Sequence, residues 1–281
     1  MRVAITASDS FVAPYIVEAL GDRAVVIPDE VLEDQTSLDV MLTPCTALIH
    51  INSRPVNTSV ARNEREAKIV MREAARPVLN AVGRHGELHL IILGTLRVHP
   101  QWYPGDEYYG PDSTLSPRDT AAEGQLWIEE NALERAEAGR PVSVIRASNV
   151  QGVPLDGPPG NGILHRWAME SQMGWVNVPG SGEDIKDFIH IEDLVRIVEI
   201  VLQDPPLTRE SFAVGSGKGI TMSDLAEIYN RRTGATAELN QNSDTEVWGI
   251  VDAWYLEHRC GFRPQISLEE MVEEALEVAN H

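Results

Sequence analysis

Short, continuously apolar runs alternate with helical patterns along the first two-thirds of the chain, and this alternation limits the fold more than any other feature. Val3-Ala4-Ile5 precedes a helix-like stretch from Phe11 to Leu20. Ala24-Val25-Val26-Ile27 ends at Pro28-Asp29, and Ala47-Leu48-Ile49-His50-Ile51 forms a third run. Glu64 to Val82 has helical spacing and leads into Leu88-His89-Leu90-Ile91-Ile92-Leu93. Ser116 to Glu137 reads as a long helix before Val142-Ser143-Val144-Ile145. Strands that are apolar on both faces and separated by helices predict an α/β fold with a doubly wound parallel sheet. Helical patterns at Ser223 to Arg232 and Ser267 to Ala279, set among short segments, predict a smaller C-terminal substrate lobe. The expected division is a core over 1–160 and a lobe over 161–281, with residues near 186–203 and 211–216 returning to the core. Gly152 to Gly162, rich in Gly and Pro, reads as a loop.

A chain of 281 residues is long enough for one large α/β domain with a substantial core. Its 43 acidic and 23 basic residues give a net charge of -20. Such a surface repels phosphate backbones and anionic lipid, so neither nucleic acid nor a membrane is an expected partner. No apolar run approaches a bilayer-spanning length, and the N-terminus enters a strand-like run without a signal-peptide layout. Cys45 and Cys260 have no metal-type spacing and indicate no disulfide framework. These features predict a cytoplasmic protein. The only lysines are Lys68, Lys186 and Lys218.

Four segments carry a resemblance. Arg146-Ala147-Ser148-Asn149-Val150-Gln151-Gly152 resembles R-P-x-N-V-Y-G. Gly180-Ser181-Gly182 through Lys186-Asp187-Phe188-Ile189-His190-Ile191-Glu192-Asp193 resembles G-D-G-x-x-x-R-D-F-x-H-V-x-D. Phe212-Ala213-Val214-Gly215-Ser216-Gly217 resembles F-N-V-G-S-G, and Cys260-Gly261-Phe262-Arg263-Pro264 resembles L-G-W-x-P. In this order and spacing they resemble the extended short-chain dehydrogenase/reductase superfamily, which includes NAD-dependent sugar epimerases and dehydratases. The resemblance covers nearly the whole chain and implies a Rossmann-like fold. Relatives often dimerise through a helix pair, so a homodimer is one expected state.

Two departures qualify what the resemblance implies about chemistry. Its dinucleotide turn, T-G-x-x-G-x-x-G, falls on Thr6-Ala7-Ser8-Asp9-Ser10-Phe11-Val12-Ala13, where no glycine remains. Glycines let the backbone turn tightly and approach a pyrophosphate. The small residues Ala7 and Ser10 are the candidate cofactor contacts if NAD is bound, together with Asp29, which stands where an acid bonds the adenosine ribose. Asp9 sets a negative charge beside the pyrophosphate position. The expected cofactor is therefore none, or NAD. The second departure concerns the family's Tyr and the Lys four residues after it, which hold and move the proton. Anchored on Ser116-Pro117, these positions fall on Arg118 and Ala122. Anchored on Ala121-Ala122-Glu123, they fall on Leu115 and Asp119. No lysine lies between Lys68 and Lys186 to complete either pair.

Thr95 stands at the family's Ser/Thr position after the fourth strand. The loop from Arg97 to Thr114 is dense in reactive side chains, so Asp106, Tyr108 and Tyr109 join Thr95 as candidate catalytic groups. Asp119 and Glu123 share a helix face, and Ser116, Pro117 and Asp119 fit an N-cap, N1 and N3 arrangement. Arg97, Asn149 and Lys186 are the candidate substrate contacts. The resemblance implies an arginine on substrate diphosphate at position 186, and lysine there keeps the charge without the bidentate fork. Trp167, Trp175 and Trp248 suit either an apolar pocket or the core. His85 and His89 are separated by Gly86 near a strand start, so no metal site is expected.

These features predict a repurposed enzyme that binds a small organic molecule and performs a non-redox step such as isomerisation, elimination or cyclisation. The alternatives are a non-catalytic binding protein, and an NAD-dependent epimerase, dehydratase or reductase with substitute acid–base residues.

Overall fold

A computed structural model of the chain describes residues 1–6, 10–51, 64–137, 139–155, 162–203, 210–241 and 249–280, without the side chains of 64–67, 70, 136 and 137. Six strands build the main sheet: β1 (Val3–Ile5), β2 (Ala24–Val26), β3 (Ala47–Ile51), β4 (His89–Thr95), β5 (Val142–Ala147) and β9 (Glu210–Val214), in the order β2-β1-β3-β4-β5-β9. β1 runs parallel to both β2 and β3, and β3 parallel to β4. The predicted parallel, doubly wound sheet is what the chain forms. The order reverses at β1, and crevices at the carboxyl ends of strands beside such a reversal are where open α/β sheets take ligands.

The helices between these strands are α1 (Ala13–Leu20), α2 (Asp29–Leu32), α3 (Gln35–Leu42), α4 (Glu64–Arg84) and α5 (Thr120–Glu137). The alternation in sequence shows α1, α4 and α5 but not α2 or α3, which lie in the polar stretch after Pro28. Asp34 caps α3 by accepting from the amides of Thr36 and Ser37. Helix α5 starts four residues later than Ser116. The amide of Ser116 donates to Val98 O and that of Arg118 to Arg97 O, which holds 116–118 outside the helix. Asp119 is therefore the cap itself, with Oδ1 accepting from Ala122 N at 2.9 Å.

Two compact units result. The first holds residues 1–100, 111–146 and 197–212. Its core joins Leu48, Leu90 and Val144 of the sheet to Val78 and Val82 of α4 and Ile128 of α5. The second holds 101–110, 147–196 and 213–281. It contains β6 (Asn149–Gln151), α6 (Ile163–Ser171), β7 (Trp175–Pro179), β8 (Ile185–His190), β10 (Gly219–Thr221), α8 (Met222–Thr233), β11 (Thr236–Asn240), α9 (Ala253–Cys260) and α10 (Leu268–Ala279). Helix α7 (Ile191–Gln203) has residues in both. In the second unit β10-β8-β6 form one sheet and β11-β7 another. Trp167 and Tyr229 meet edge to face in its core at 5.8 Å between ring centroids. Among the described residues no helix is long and apolar enough to cross a membrane.

Candidate functional site

The turn after β1 is where the family resemblance puts a dinucleotide. Thr6 follows β1 and His50 is the last residue but one of β3; both are buried, and they hydrogen-bond at 2.9 Å between Oγ1 and Nδ1. Ala7 lies outside the described residues. Ser10 is half-buried, and its Oγ accepts from Ala13 N at 3.1 Å. Ala13 is fully buried at the start of α1, so the small residue there keeps the helix against the sheet. Pro14 follows as the second helical residue and has no N–H. A pyrophosphate at a helix start needs backbone amides directed at it. Here one is held by Ser10 and the next is missing. Asp29 opens α2 as an exposed residue, so the acid expected beside a ribose is present. Among the described residues, the start of α1 does not fit a pyrophosphate.

At the carboxyl end of β4, Thr95 is half-buried and its Oγ1 accepts from Arg97 N at 3.3 Å. The Arg97 guanidinium donates through Nε to Asp119 Oδ2 at 2.7 Å. Asp119 thus caps α5 with one oxygen and orients Arg97 with the other. Glu123, one turn on, pairs with Lys68. The two carboxylates have separate partners rather than forming a couple.

The face of α5 against β4 carries Gln125 and Glu129. An added Cβ at Gly94 would lie 2.4 Å from Glu129 Oε1 and 3.0 Å from Gln125 Nε2. Both side chains are buried, and Gln125 Nε2 donates to Glu129 Oε1 at 3.2 Å. Glu129 Oε2 in turn accepts from Arg146 Nε at 2.9 Å. Burial pushes the Glu129 carboxyl up, against the pull of Arg146. A Tyr and a Lys four apart on this face would occupy 121 and 125, where the chain has Ala and Gln. The two registers considered from sequence place the Tyr position before Thr120, ahead of the helix. Nearby His99 is buried, donates from Nδ1 to Thr114 O at 3.2 Å, and has its pKa lowered by burial to about 4.

The remaining candidates belong to the second unit. Asp106 is exposed, and its carboxylate accepts from Tyr103 N at 2.8 Å, closing a turn through Gly105. Tyr108 is exposed and tilts against Trp102. Tyr109 is buried, and its backbone bonds Ile250 and Asp252. Gly249, at φ 63°, lets the Tyr109 ring approach; an added Cβ would lie 2.4 Å from it. Asn149 opens β6 and donates from Nδ2 to Asp187 O at 3.1 Å. Asn149 pairs with Phe188 across β6 and β8, and Lys186 pairs with Ile220 across β8 and β10. Paired residues share a face, as do residues two apart, so Asn149, Lys186, Phe188 and Ile220 stand on one side of this sheet. Phe188 and Ile220 line a cavity of about 380 Å³, rimmed by Ser216, Lys218, Ser267 and Glu269. Trp248 lies outside the described residues. Trp167 is core, with Nε1 donating to Asn177 O.

Residues 30–215 match the family described as NAD dependent epimerase/dehydratase. The chain belongs to that family. The matched span leaves out the first 29 residues, which hold the glycine-free turn. A putative GDP-L-fucose synthase 2 of Oryza sativa subsp. japonica is 25% identical over 70% of this chain and 60% of its own length. The chain spans about 60% of the length of this curated relative. Among solved structures, dTDP-glucose 4,6-dehydratase of Bacillus anthracis in complex with NAD aligns with a TM-score of 0.83 at 14% identity, over 100% of this chain and 96% of its own. An NAD-dependent NDP-hexosamine 5,6-dehydratase involved in tunicamycin biosynthesis aligns with a TM-score of 0.84 at 21% identity, over 99% and 97%. These structures share the epimerase/dehydratase fold.

The segments that carry the epimerase/dehydratase resemblance hold backbone in place. Asp187 is fully buried and accepts from the amides of Ser216, Gly217 and Val251 and from Ser216 Oγ, at 2.6 to 3.1 Å. Burial raises its pKa to about 6 against those four donors. Asp193 accepts from Gln265 N and Ile266 N. His190 bonds Glu274 through Nε2 and takes Glu192 N on Nδ1. Sequence reasoning missed Gln125 and Glu129. The one sequence signal they leave is their spacing of four within a helical segment.

Proposed function

We propose that this epimerase/dehydratase-family chain binds a small organic molecule and performs a non-redox step, such as isomerisation, elimination or cyclisation, without dinucleotide turnover. The observation that carries this reading is the self-closed turn at the start of α1, where Ser10 takes the Ala13 amide and Pro14 offers none. Gln125 adds to it. An amide side chain does not hold a proton as a lysine does, so it cannot poise a phenol for hydride chemistry.

Thr95 and Arg97 are the groups for chemistry in the first unit. The Thr95 hydroxyl accepts from Arg97 N and keeps its own proton to donate. The Arg97 guanidinium, oriented by Asp119, stabilises negative charge that develops on a substrate oxygen. In the second unit Asn149, Lys186 and the cavity are the groups for binding.

A specific observation supports the alternative of a non-catalytic binding protein: Asp106 closes its own turn and Tyr109 packs on Gly249, so neither carboxylate nor buried phenol is spent on chemistry. Incubating cofactor-free protein with a library of small carbonyl and hydroxy compounds in D₂O separates the two. The enzyme reading expects deuterium in at least one compound, lost in Thr95→Val. Saturable binding without exchange in any bound compound would favour the binding protein.

A further inference from the structure

We infer that the cavity of the second unit takes an apolar molecule carrying a single carboxylate. The inference rests on the small-molecule reading above and names the class of ligand. The floor is apolar: Phe188 and Met271 are buried, with Ile220 and Ile266 beside them. A cavity of about 380 Å³ falls at the lower end of the range for small-molecule sites.

Several amides at or beside it are committed to internal carboxylates. Ser216 N and Gly217 N donate to Asp187. Gln265 N and Ile266 N donate to Asp193, and Ser267 N to Glu270 Oε2. A diphosphate carries several acceptor oxygens and more than one charge, and it is held by convergent amides or a guanidinium fork. No arginine stands among the described residues that line this wall.

It supplies lysine instead. The chain has three lysines, and Lys218 stands at this wall. Lys218 lines the cavity, and Lys186 shares the face of β8 that presents Phe188. An ammonium is a compact point charge that matches one carboxylate without demanding a fork. Glu269, exposed on the rim, adds a negative charge that further disfavours a polyanion, as does a net charge of -20. The apolar body of the ligand would lie on Phe188 and Met271 with its carboxylate at Lys218.

Three probes test this on the full chain by titration calorimetry: 3-phenylpropionate, the uncharged 3-phenylpropanol, and UDP-glucose. The acid is expected to bind about 5- to 10-fold more tightly than the alcohol, the size of one partly exposed charge-assisted hydrogen bond. Lys218→Met, at an exposed position, should lower the affinity for the acid to that for the alcohol and leave the alcohol unchanged. Equal affinity of acid and alcohol, no effect of Lys218→Met, or tighter binding of UDP-glucose would overturn the inference while leaving a small-molecule cavity. If none of the three saturates the protein, the inference and the small-molecule reading both fail.

Discussion

Among the described residues, the buried histidines, arginines and carboxylates of the first unit are His50, His89, His99 and the pair Arg146–Glu129, whereas those of the second are Asp184, Asp187, Asp193 and His190. The difference lies in what they hold. Asp187 and Asp193 fill their oxygens with backbone amides from distant segments, so a change at either strands several donors at once. The first unit's groups meet mostly other side chains: Thr6 for His50, Ser143 for His89, Glu129 for Arg146. A change at one of the first unit's groups therefore strands fewer backbone donors than a change at Asp187 or Asp193.

The sharpest contrast is in pH dependence. Burial lowers His50, His89 and His99 to about 4, below their ordinary value of 6.5. Below pH 6.5 the unfolded chain binds protons that the folded chain does not, so their contribution is present above 6.5 and is lost as pH falls towards 4. The expected slope is about 1.4 kcal/mol per pH unit for each histidine, or about 4 for the three. Urea unfolding between pH 6.5 and 5 reads this, and His89→Gln should reduce the slope by a third. Asp187 has the opposite sign. Its folded value of about 6 lies above 3.8, so the folded state binds the extra proton and its contribution falls as pH rises from 3.8 to 6. Hydrogen exchange at Gly217 and Val251 should quicken over that interval, with no such change in Asp187→Asn.

Glu129→Ala is expected to cost about 3–5 kcal/mol, because Arg146 is left buried and unpaired. Replacing both by Met should recover most of it, measured by the same unfolding; equal losses in single and double variants would show that packing, not charge, holds α5 on β5. Asp193→Ala should cost about 2–3 kcal/mol and free the amides of Gln265 and Ile266 to exchange. Gly94→Ala is the smallest, about 1–3 kcal/mol, from a Cβ pressed on Glu129. A neutral Gly94→Ala would mean that Glu129 has room to retreat.

The architecture was legible because its signals are local. Apolar runs such as Ala47–Ile51 fix strands, and the Asp187 and Asp193 segment preserves side chains whose partners are backbone. Elements α2 and α3 were not legible, since they are short, four and eight residues, and pack on each other and on α4. The start of α5 was misplaced because the contacts that hold 116–118 outside the helix come from residues 97–98, which a local pattern does not include. Of the candidate site, Thr95 and Arg97 stand together at the end of β4, and Asn149 and Lys186 share one sheet face. Gln125 and Glu129 went unseen because a buried polar pair looks, in sequence, like two exposed helical residues.

Titration of the purified protein with NAD⁺, NADH, NADP⁺ and NADPH, with mass spectrometry of the denatured protein for any dinucleotide carried through purification, tests the account most directly. The self-closed turn predicts no carried dinucleotide and no saturable heat at millimolar ligand. Micromolar binding of any of the four, or a stoichiometric dinucleotide in the purified protein, would contradict it and restore the reading of an NAD-dependent epimerase, dehydratase or reductase.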